Sequence, residues 1–435
     1  MARAADPVQA RAAATEIVAR LRSAGHVAYF AGGCVRDELL GLHPTDYDVA
    51  TDAPPQRIRE LFPRTAEVGA AFGVMLVHLM GVTVEVATFR AEGPYSDARR
   101  PDTVRFSDAP TDAARRDFTI NALFLDPLAA PDTPAVEGHV VDYVGGLADL
   151  RAGVIRAVGD PHQRLAEDHL RALRAVRFTA RLGFTLDPAT AEAIRQHASQ
   201  LRGVSRERIG EELRRMMAHP SRARAVDLLT DLGLDVPVLE ESPLPGPPRS
   251  TCLAALTEVA ARRGQTPEYP TCLAAWAIDR GHDPLGDPDP LVARYRRALV
   301  LSNAERDGLR DVLNTFGRIC REWATATTAR QRRIASTPAF FQALLLLGAW
   351  ENSGAAGTTP VPVREEDVRA RVAELAATPP GIAPAPLITG DDLVAMGLKP
   401  GKAFKTILDS VYDAQLEGRI TTKEEGMELV RRLSV

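Results

Sequence analysis

Asp46 and Asp48 stand two residues apart in Asp46-Tyr-Asp48, and alternation along a β-strand would turn both carboxylates to one face, where together they can hold a hard cation. Tyr47 then points the other way, into packing. An exposed Asp-x-Asp on an edge strand is spelled the same way, so the pair needs a third carboxylate before it reads as a metal centre. Val82-Thr-Val-Glu-Val-Ala-Thr-Phe-Arg90 supplies one, because Val82, Val84 and Val86 make one face and Glu85 falls on the other. If that strand lies beside Asp46–Ala50, Glu85 completes the cluster. A two-metal centre for nucleotidyl transfer needs about three protein oxygens plus phosphate oxygens, since magnesium dehydrates reluctantly and prefers octahedral coordination. A strand glutamate facing solvent has the same pattern.

An anion site is written just upstream. In Ala31-Gly-Gly-Cys-Val-Arg-Asp-Glu-Leu-Leu-Gly41 a strand runs into Gly32-Gly33 and then a helix, which brings backbone N–H groups close to a triphosphate, with Arg36 adding a charge-assisted contact. By itself a Gly-Gly pair is only a tight turn. Downstream, Arg115-Arg-Asp-Phe-Thr-Ile-Asn-Ala-Leu123 sets polar Arg116, Asp117 and Asn121 among apolar Phe118, Ile120 and Leu123. That suits recognition of a ribose and phosphates beside a packed core, and equally the start of an amphipathic helix.

Arg164-Leu-Ala-Glu-Asp-His-Leu-Arg-Ala-Leu-Arg-Ala-Val-Arg-Phe178 reads as a helix on which Asp168 and Arg171, three apart, are surface neighbours. They form either a plain ion pair or a base reader. A carboxylate accepts from an exocyclic amine and a guanidinium donates to the adjacent ring nitrogen, which matches the Watson–Crick edge of cytosine or adenine and mismatches uracil or guanine. Such a pair could replace a template strand. Arg174 and Arg177 continue the spacing, but each step of three falls about 60° short of a full turn, so Arg177 lies roughly opposite Asp168.

The elements that must position these groups follow from the pattern. Strand-like runs at Val27–Ala31, Asp46–Ala50, Gly73–Met80 and Thr83–Phe89 alternate with helical patterns at Val8–Ala24 and Pro55–Phe62. From about Gly159 onward strand signals vanish and Ala-, Leu- and Arg-rich helical patterns run to the end. Proline-rich stretches at Ser242–Pro248 and Gly357–Pro386 divide that helical part. The fold expected is α+β: a head over residues 1–150, then an all-helical neck at 151–236, body at 237–384 and tail at 385–435. In the tail Thr389 is a candidate N-cap, and Lys399-Pro-Gly-Lys402, with Lys405 close by, reads as a turn before a helix that can also meet phosphate.

The 435 residues suffice for two to four domains, and 53 Lys+Arg against 57 Asp+Glu, a net −4, excludes a globally basic nucleic-acid-coating protein. Locally the balance reverses. Arg151–Arg224 holds 15 Arg against 8 Asp+Glu, 15 − 8 = +7, which suits either phosphates or a solvated surface. Cys34, Cys252, Cys272 and Cys320 make no C-x-x-C pair, and no segment offers about 18 uninterrupted apolar residues or a signal sequence. A reducing cytoplasm, with no membrane, is the expectation.

Taken in chain order, these segments resemble the motifs of the class II tRNA nucleotidyltransferases, the CCA-adding enzymes and their CC- and A-adding relatives, which share a head with bacterial poly(A) polymerases. The resemblance is close over roughly Val8–Met217 and returns in LITGDDLVAMGLKPG through LVRRL. It implies a polymerase-beta-like head in which Gly33 and Arg36 meet the triphosphate, with Gly32 in the same turn, and Asp46 and Asp48 hold Mg2+. It further implies Arg116 at the nucleotide, beside which the pattern above sets Asp117 and Asn121 as candidates, Asp168 and Arg171 as the base-selecting pair, and Arg174 and Arg177 nearby. Glu85 as third ligand rests on strand alternation, supported by the V-A-T-F-R context of poly(A) polymerases. The implied partners are the 3′ end of tRNA, ATP and CTP, with no protein partner. Val68–Val74 resembles the tRNA branch more than poly(A) polymerases, and Arg90–Pro101 resembles a full-length flexible loop that CC-only enzymes lack. Ala172 replaces a methionine common in the family.

Overall fold

A computed structural model of the chain describes residues 6–44, 46–67, 73–92, 104–131, 133, 135–243, 250–354, 363–399 and 401–434. Most of the Val68–Val74 and Arg90–Pro101 resemblances, and most of the first proline-rich stretch, lie outside the described residues, as do 357–362 of the second. The chain forms two compact units, Met1–Glu212 with Leu228–Glu241 and Leu213–Asp227 with Ser242–Val435.

The first unit opens with α1 (Pro7–Ser23). Asp6 accepts from the Val8 amide at 3.2 Å and Pro7 takes the first helical position, while Ala10, Ala13, Ala14, Ile17, Val18 and Leu21 are buried at helical spacing. There follow β1 (Ala28–Ala31), α2 (Gly33–Leu39), β2 (Asp48–Thr51), α3 (Pro55–Leu61), β3 (Thr65–Glu67), β4 (Val74–Leu79) and β5 (Val82–Thr88). A two-stranded ribbon of β6 (Arg90–Glu92) and β7 (Val104–Phe106) leads to α4 (Ala109–Ala114), a 3-10 turn at Thr119–Asn121, β8 (Phe124–Asp126) and β9 (His139–Val141). Seven strands make one mixed sheet in the order β3-β4-β5-β2-β1-β8-β9, with β2 and β5 its parallel pair. Alternation in β5 is as read: Val82, Val84 and Val86 are buried while Thr83 and Glu85 are exposed. Ala31, Ala50, Phe89, Ala113, Ala122 and Phe124 pack into one core, with Phe89 and Phe124 edge-on at 5.8 Å.

The helical continuation comprises α5 (Gly146–Ala152), α6 (Pro161–Glu167), α7 (Leu170–Leu182), α8 (Pro188–His197), α9 (Arg206–Ala218), α10 (Arg222–Asp231) and α11 (Asp235–Leu239). α9 and α10 contribute residues to both units. Two expectations fail here. β10 (Val154–Ile155) pairs in parallel with β11 (Thr185–Leu186), a strand beyond Gly159 that two residues are too few to announce by alternation. The helix expected across Arg164–Phe178 is interrupted at Asp168-His169, where the Asp168 side chain accepts from the Leu170 amide at 3.0 Å and its backbone turns extended.

The second unit is helical in its described residues: α12 (Thr251–Arg262), α13 (Tyr269–Asp279), α14 (Asp289–Leu299), α15 (Asn303–Glu322), α16 (Thr328–Ala335), α17 (Phe340–Ser353), α18 (Glu365–Ala377), α19 (Gly390–Ala395), α20 (Lys402–Leu416) and α21 (Lys423–Leu433). Thr389 caps α19, its amide donating to Asp392 at 2.8 Å, and the last three helices share a small core of Ile388, Leu393, Ile407, Val411, Ala414, Ile420 and Val430. Arg332 of α16 is buried. It donates to the carbonyls of Leu416, Leu375 (3.2 Å), Thr378 (3.1 Å) and Pro379 (3.4 Å), so the C-terminal ends of α18 and α20 meet on one guanidinium.

Candidate active site

The parallel pairing of β2 with β5 puts Asp48 directly opposite Glu85. Asp46 lies just ahead of β2, which begins at Asp48, so the two aspartates do not share a strand as expected, although both remain exposed. Tyr47 between them is buried as expected: its ring meets Phe30 at 5.2 Å and its hydroxyl donates to Glu38 at 2.5 Å. Asp48 keeps solvent access yet is closely surrounded by protein, and that partial desolvation, then repulsion from Glu85 and Asp46 against the pull of Arg116, pushes its carboxyl up to about 6. Among the described residues no three His, Cys, Asp or Glu side chains close into a metal-binding group. The donor set nevertheless suits a hard divalent cation: it offers oxygen alone, and its mutual repulsion is what a cation would cancel.

Gly32 joins β1 to α2 at φ +76°, a left-handed conformation that side chains avoid. A Cβ there would stand 2.9 Å from Arg116 Nη1, so only glycine lets the guanidinium lie against the turn. Arg116 also donates to the Asn121 carbonyl at 3.1 Å and to Asp112 at 3.0 Å, and sits 5.0 Å over Phe124. Asp112 is buried, which would raise its carboxyl, but Arg116 and Arg115 more than offset this and hold it below the usual range. Asp112 was not among the residues singled out, though its spacing of three and four from the two arginines is a readable signal.

Arg36 departs from its expected place. Rather than facing the open side of the turn, it is 3 % exposed and engaged by Asp37 at 2.6 Å and the Asn121 carbonyl oxygen Oδ1 at 2.5 Å. Asn121 in turn donates from Nδ2 to Asp117 at 3.1 Å, and Asp117 accepts from Arg174 of α7 at 2.7 Å. Burial would raise the Asp117 carboxyl, yet Arg174, Asn121 and the Phe118 amide hold it below the usual range. Asp117 and Asn121 therefore tie elements together rather than facing outward. Arg177 pairs with Glu212 of α9 at 2.6 Å.

Asp168 and Arg171 are brought to one neighbourhood but not to each other. Asp168 is gripped by Arg208 at 2.6 Å, while Arg171 donates to Glu167 at 2.5 Å and to the Arg164 carbonyl at 2.8 Å. Arg171 also reaches the Arg115 carbonyl at 3.4 Å, which sets this pair one residue from Arg116. Arg208, Glu212 and Glu167 were not singled out. The first two lie 40 and 35 residues from their partners and carry no local signal.

Residues 28–156 match the family model described as the poly A polymerase head domain, and residues 183–242 match the one described as a probable RNA and SrmB-binding site of polymerase A. The CCA-adding enzyme of Lactobacillus johnsonii is 42 % identical over 51 % of this chain and 54 % of its own length, and that of Geobacillus stearothermophilus is 41 % identical over 50 % and 52 %. The alignments thus span about half the length of these relatives. The crystal structure of the Bacillus stearothermophilus CCA-adding enzyme in complex with CTP covers 98 % of both chains at 29 % identity with a TM-score of 0.73. Among the described residues no helix is long and apolar enough to cross a membrane. The head and the segment behind it thus match two parts of the poly A polymerase family, and over its whole length the chain is similar in fold to a CCA-adding enzyme.

Proposed function

We propose that the protein is a template-independent tRNA nucleotidyltransferase that adds CMP and AMP to tRNA 3′ ends, completing CCA or its terminal A, from CTP and ATP in the cytoplasm. The observation that carries this is Asp48 opposite Glu85, with Asp46 beside them and Arg116 lying against Gly32. In the reaction the RNA 3′-hydroxyl oxygen bonds to the α-phosphorus while the α–β bridging P–O bond breaks, and pyrophosphate leaves. Nucleotidyltransferases of this family generally use a divalent metal. Here we take it as Mg2+, held by Asp46, Asp48 and Glu85, and when bound it supplies charge that activates the hydroxyl and steadies the leaving oxygens. The Gly32-Gly33 turn and Arg116 receive the triphosphate. Arg36, Asn121 and Asp117 hold that turn and Arg116 in place. Asp168 accepts from the exocyclic amine and Arg171 donates to the ring nitrogen of cytosine or adenine, their present partners fixing the side chains until a base arrives.

The neck at 151–236, body at 237–384 and tail at 385–435 would hold the acceptor arm by backbone shape, since every tRNA must be served. The decisive experiment incubates the enzyme with tRNA lacking CCA, ending in C and ending in CC, each with CTP, ATP or both, and sequences the products. Untemplated A-tails on any RNA would instead favour a poly(A) polymerase. Asp48→Ala should lower extension at least about 10³-fold, the worth of several kcal/mol of charge stabilisation, with tRNA binding retained. Asp168→Ala or Arg171→Ala should relax choice among the four nucleotides. Unchanged selectivity would sink the base-reading assignment.

A further inference from the structure

Among the described residues, Phe178 of α7 is an aromatic ring on which three of the arginines above converge. Its centroid stands 5.0 Å from the Arg36 guanidinium carbon, 5.4 Å from that of Arg174 and 4.3 Å from that of Arg177, and Phe118 meets its ring edge-on at 5.9 Å. Three like charges gathered at one buried side chain repel unless each is neutralised. Each is: Asp37 answers Arg36, Asp117 answers Arg174 and Glu212 answers Arg177. The ring supplies what an aliphatic side chain of similar bulk lacks, a negatively polarised face for the guanidinium planes to lie on.

The contacts close a circuit. Arg36 donates to Asn121, Asn121 donates to Asp117, Arg174 donates to Asp117, and Arg174 and Arg36 both return to Phe178. It runs through α2 directly behind Gly32-Gly33, through the segment that carries Arg116, and through α7 three residues beyond Arg171. We propose that Phe178 is a positioning residue that couples the phosphate-receiving turn to the base-selecting helix, so that triphosphate and base are registered against one rigid frame. It touches no substrate, and this role rests on the function proposed above.

The test compares Phe178→Leu, which keeps the bulk and loses the face, Phe178→Tyr, which keeps the face, and Leu173→Val, an apolar change elsewhere on the buried side of α7. Phe178→Leu should lower kcat for nucleotide addition about 10- to 100-fold, the scale of an ångström-sized misplacement, with KM for tRNA unchanged and UTP and GTP misincorporation raised. Phe178→Tyr should recover most of that loss, and Leu173→Val should show none of it. Amide hydrogen exchange gives a readout independent of activity: Phe178→Leu should speed exchange in Gly33–Leu39 and Asp117–Asn121, and Leu173→Val should not. Wild-type kcat and nucleotide choice in Phe178→Leu would overturn the coupling. So would unchanged exchange in α2, or matching losses in Leu173→Val at equal destabilisation. A wild-type enzyme that extends no tRNA would overturn the function instead, because the exchange comparison would still decide the coupling.

Discussion

Asp117 shows how a side chain picked out for substrate contact can act one step behind it. Its carboxylate is buried and stays ionised because Arg174, Asn121 and the Phe118 amide outweigh burial. A group whose folded value is depressed lends stability above its unfolded value, near pH 4, and loses it as pH falls through the folded value. The wild type should therefore weaken on acidification below about pH 4, and Asp117→Asn should flatten that limb, as urea midpoints taken across pH 3–7 would register. Asp117→Ala, which also abandons the Arg174 charge, should cost about 3 kcal/mol, the low end for a broken buried pair because Arg174 keeps 33 % of its side chain exposed. The same site shows what sequence can convey at this scale. The face of Glu85 was legible because period-two alternation belongs to any strand, but that it stands opposite Asp48 was only a condition, since the parallel pairing of β2 with β5 that meets it is decided by the sheet. The grip of Arg208 on Asp168 was not, since a contact across 40 residues is decided by tertiary packing. Nor was the burial of Arg36, whose partner Asn121 lies 85 residues away.

The elements position the site chiefly through close approaches. Gly146 begins α5 against the 3-10 turn that carries Asn121, and a Cβ on it would stand 2.2 Å from the Thr119 carbonyl oxygen. Neither backbone can yield without moving Asn121 and, with it, the carbonyl that holds Arg116. Gly146→Ala should therefore cost about 1–3 kcal/mol as overpacking and raise KM for CTP and ATP, measured by urea unfolding and steady-state kinetics. At this scale α1, α3, β4 and β5 were readable nearly to their ends, because their apolar residues keep one period throughout. The break between α6 and α7 was not, because Leu165, Ala172 and Leu173 keep the two-turn helical spacing of seven and eight across it. What ends α6 is a single side chain, Asp168, capturing the Leu170 amide, and composition does not reveal which of two available hydrogen-bonding partners an aspartate takes.

Across the whole molecule, net charge was a poor guide until resolved along the chain, and the structure resolves it further. Much of the +7 excess in Arg151–Arg224 is met by acids outside that stretch, among them Asp37, Asp117, Asp149, Glu240 and Glu305. Many of those arginines are held in ion pairs within the protein, so the count overstates the positive charge left over. Arg332 carries the same principle into the second unit, with carbonyl groups in place of carboxylates. Arg332→Met would leave those carbonyls without their donor, at about 1–3 kcal/mol for each group left buried and unpaired, and thermal unfolding should show the loss. Lifting α20 from α16 would strand a bare cation among dipoles, so the last three helices should not peel away ahead of the rest. A protease titrated against the enzyme should find the second unit either intact or wholly digestible, and Arg332→Met should be the change that first yields a trimmed fragment.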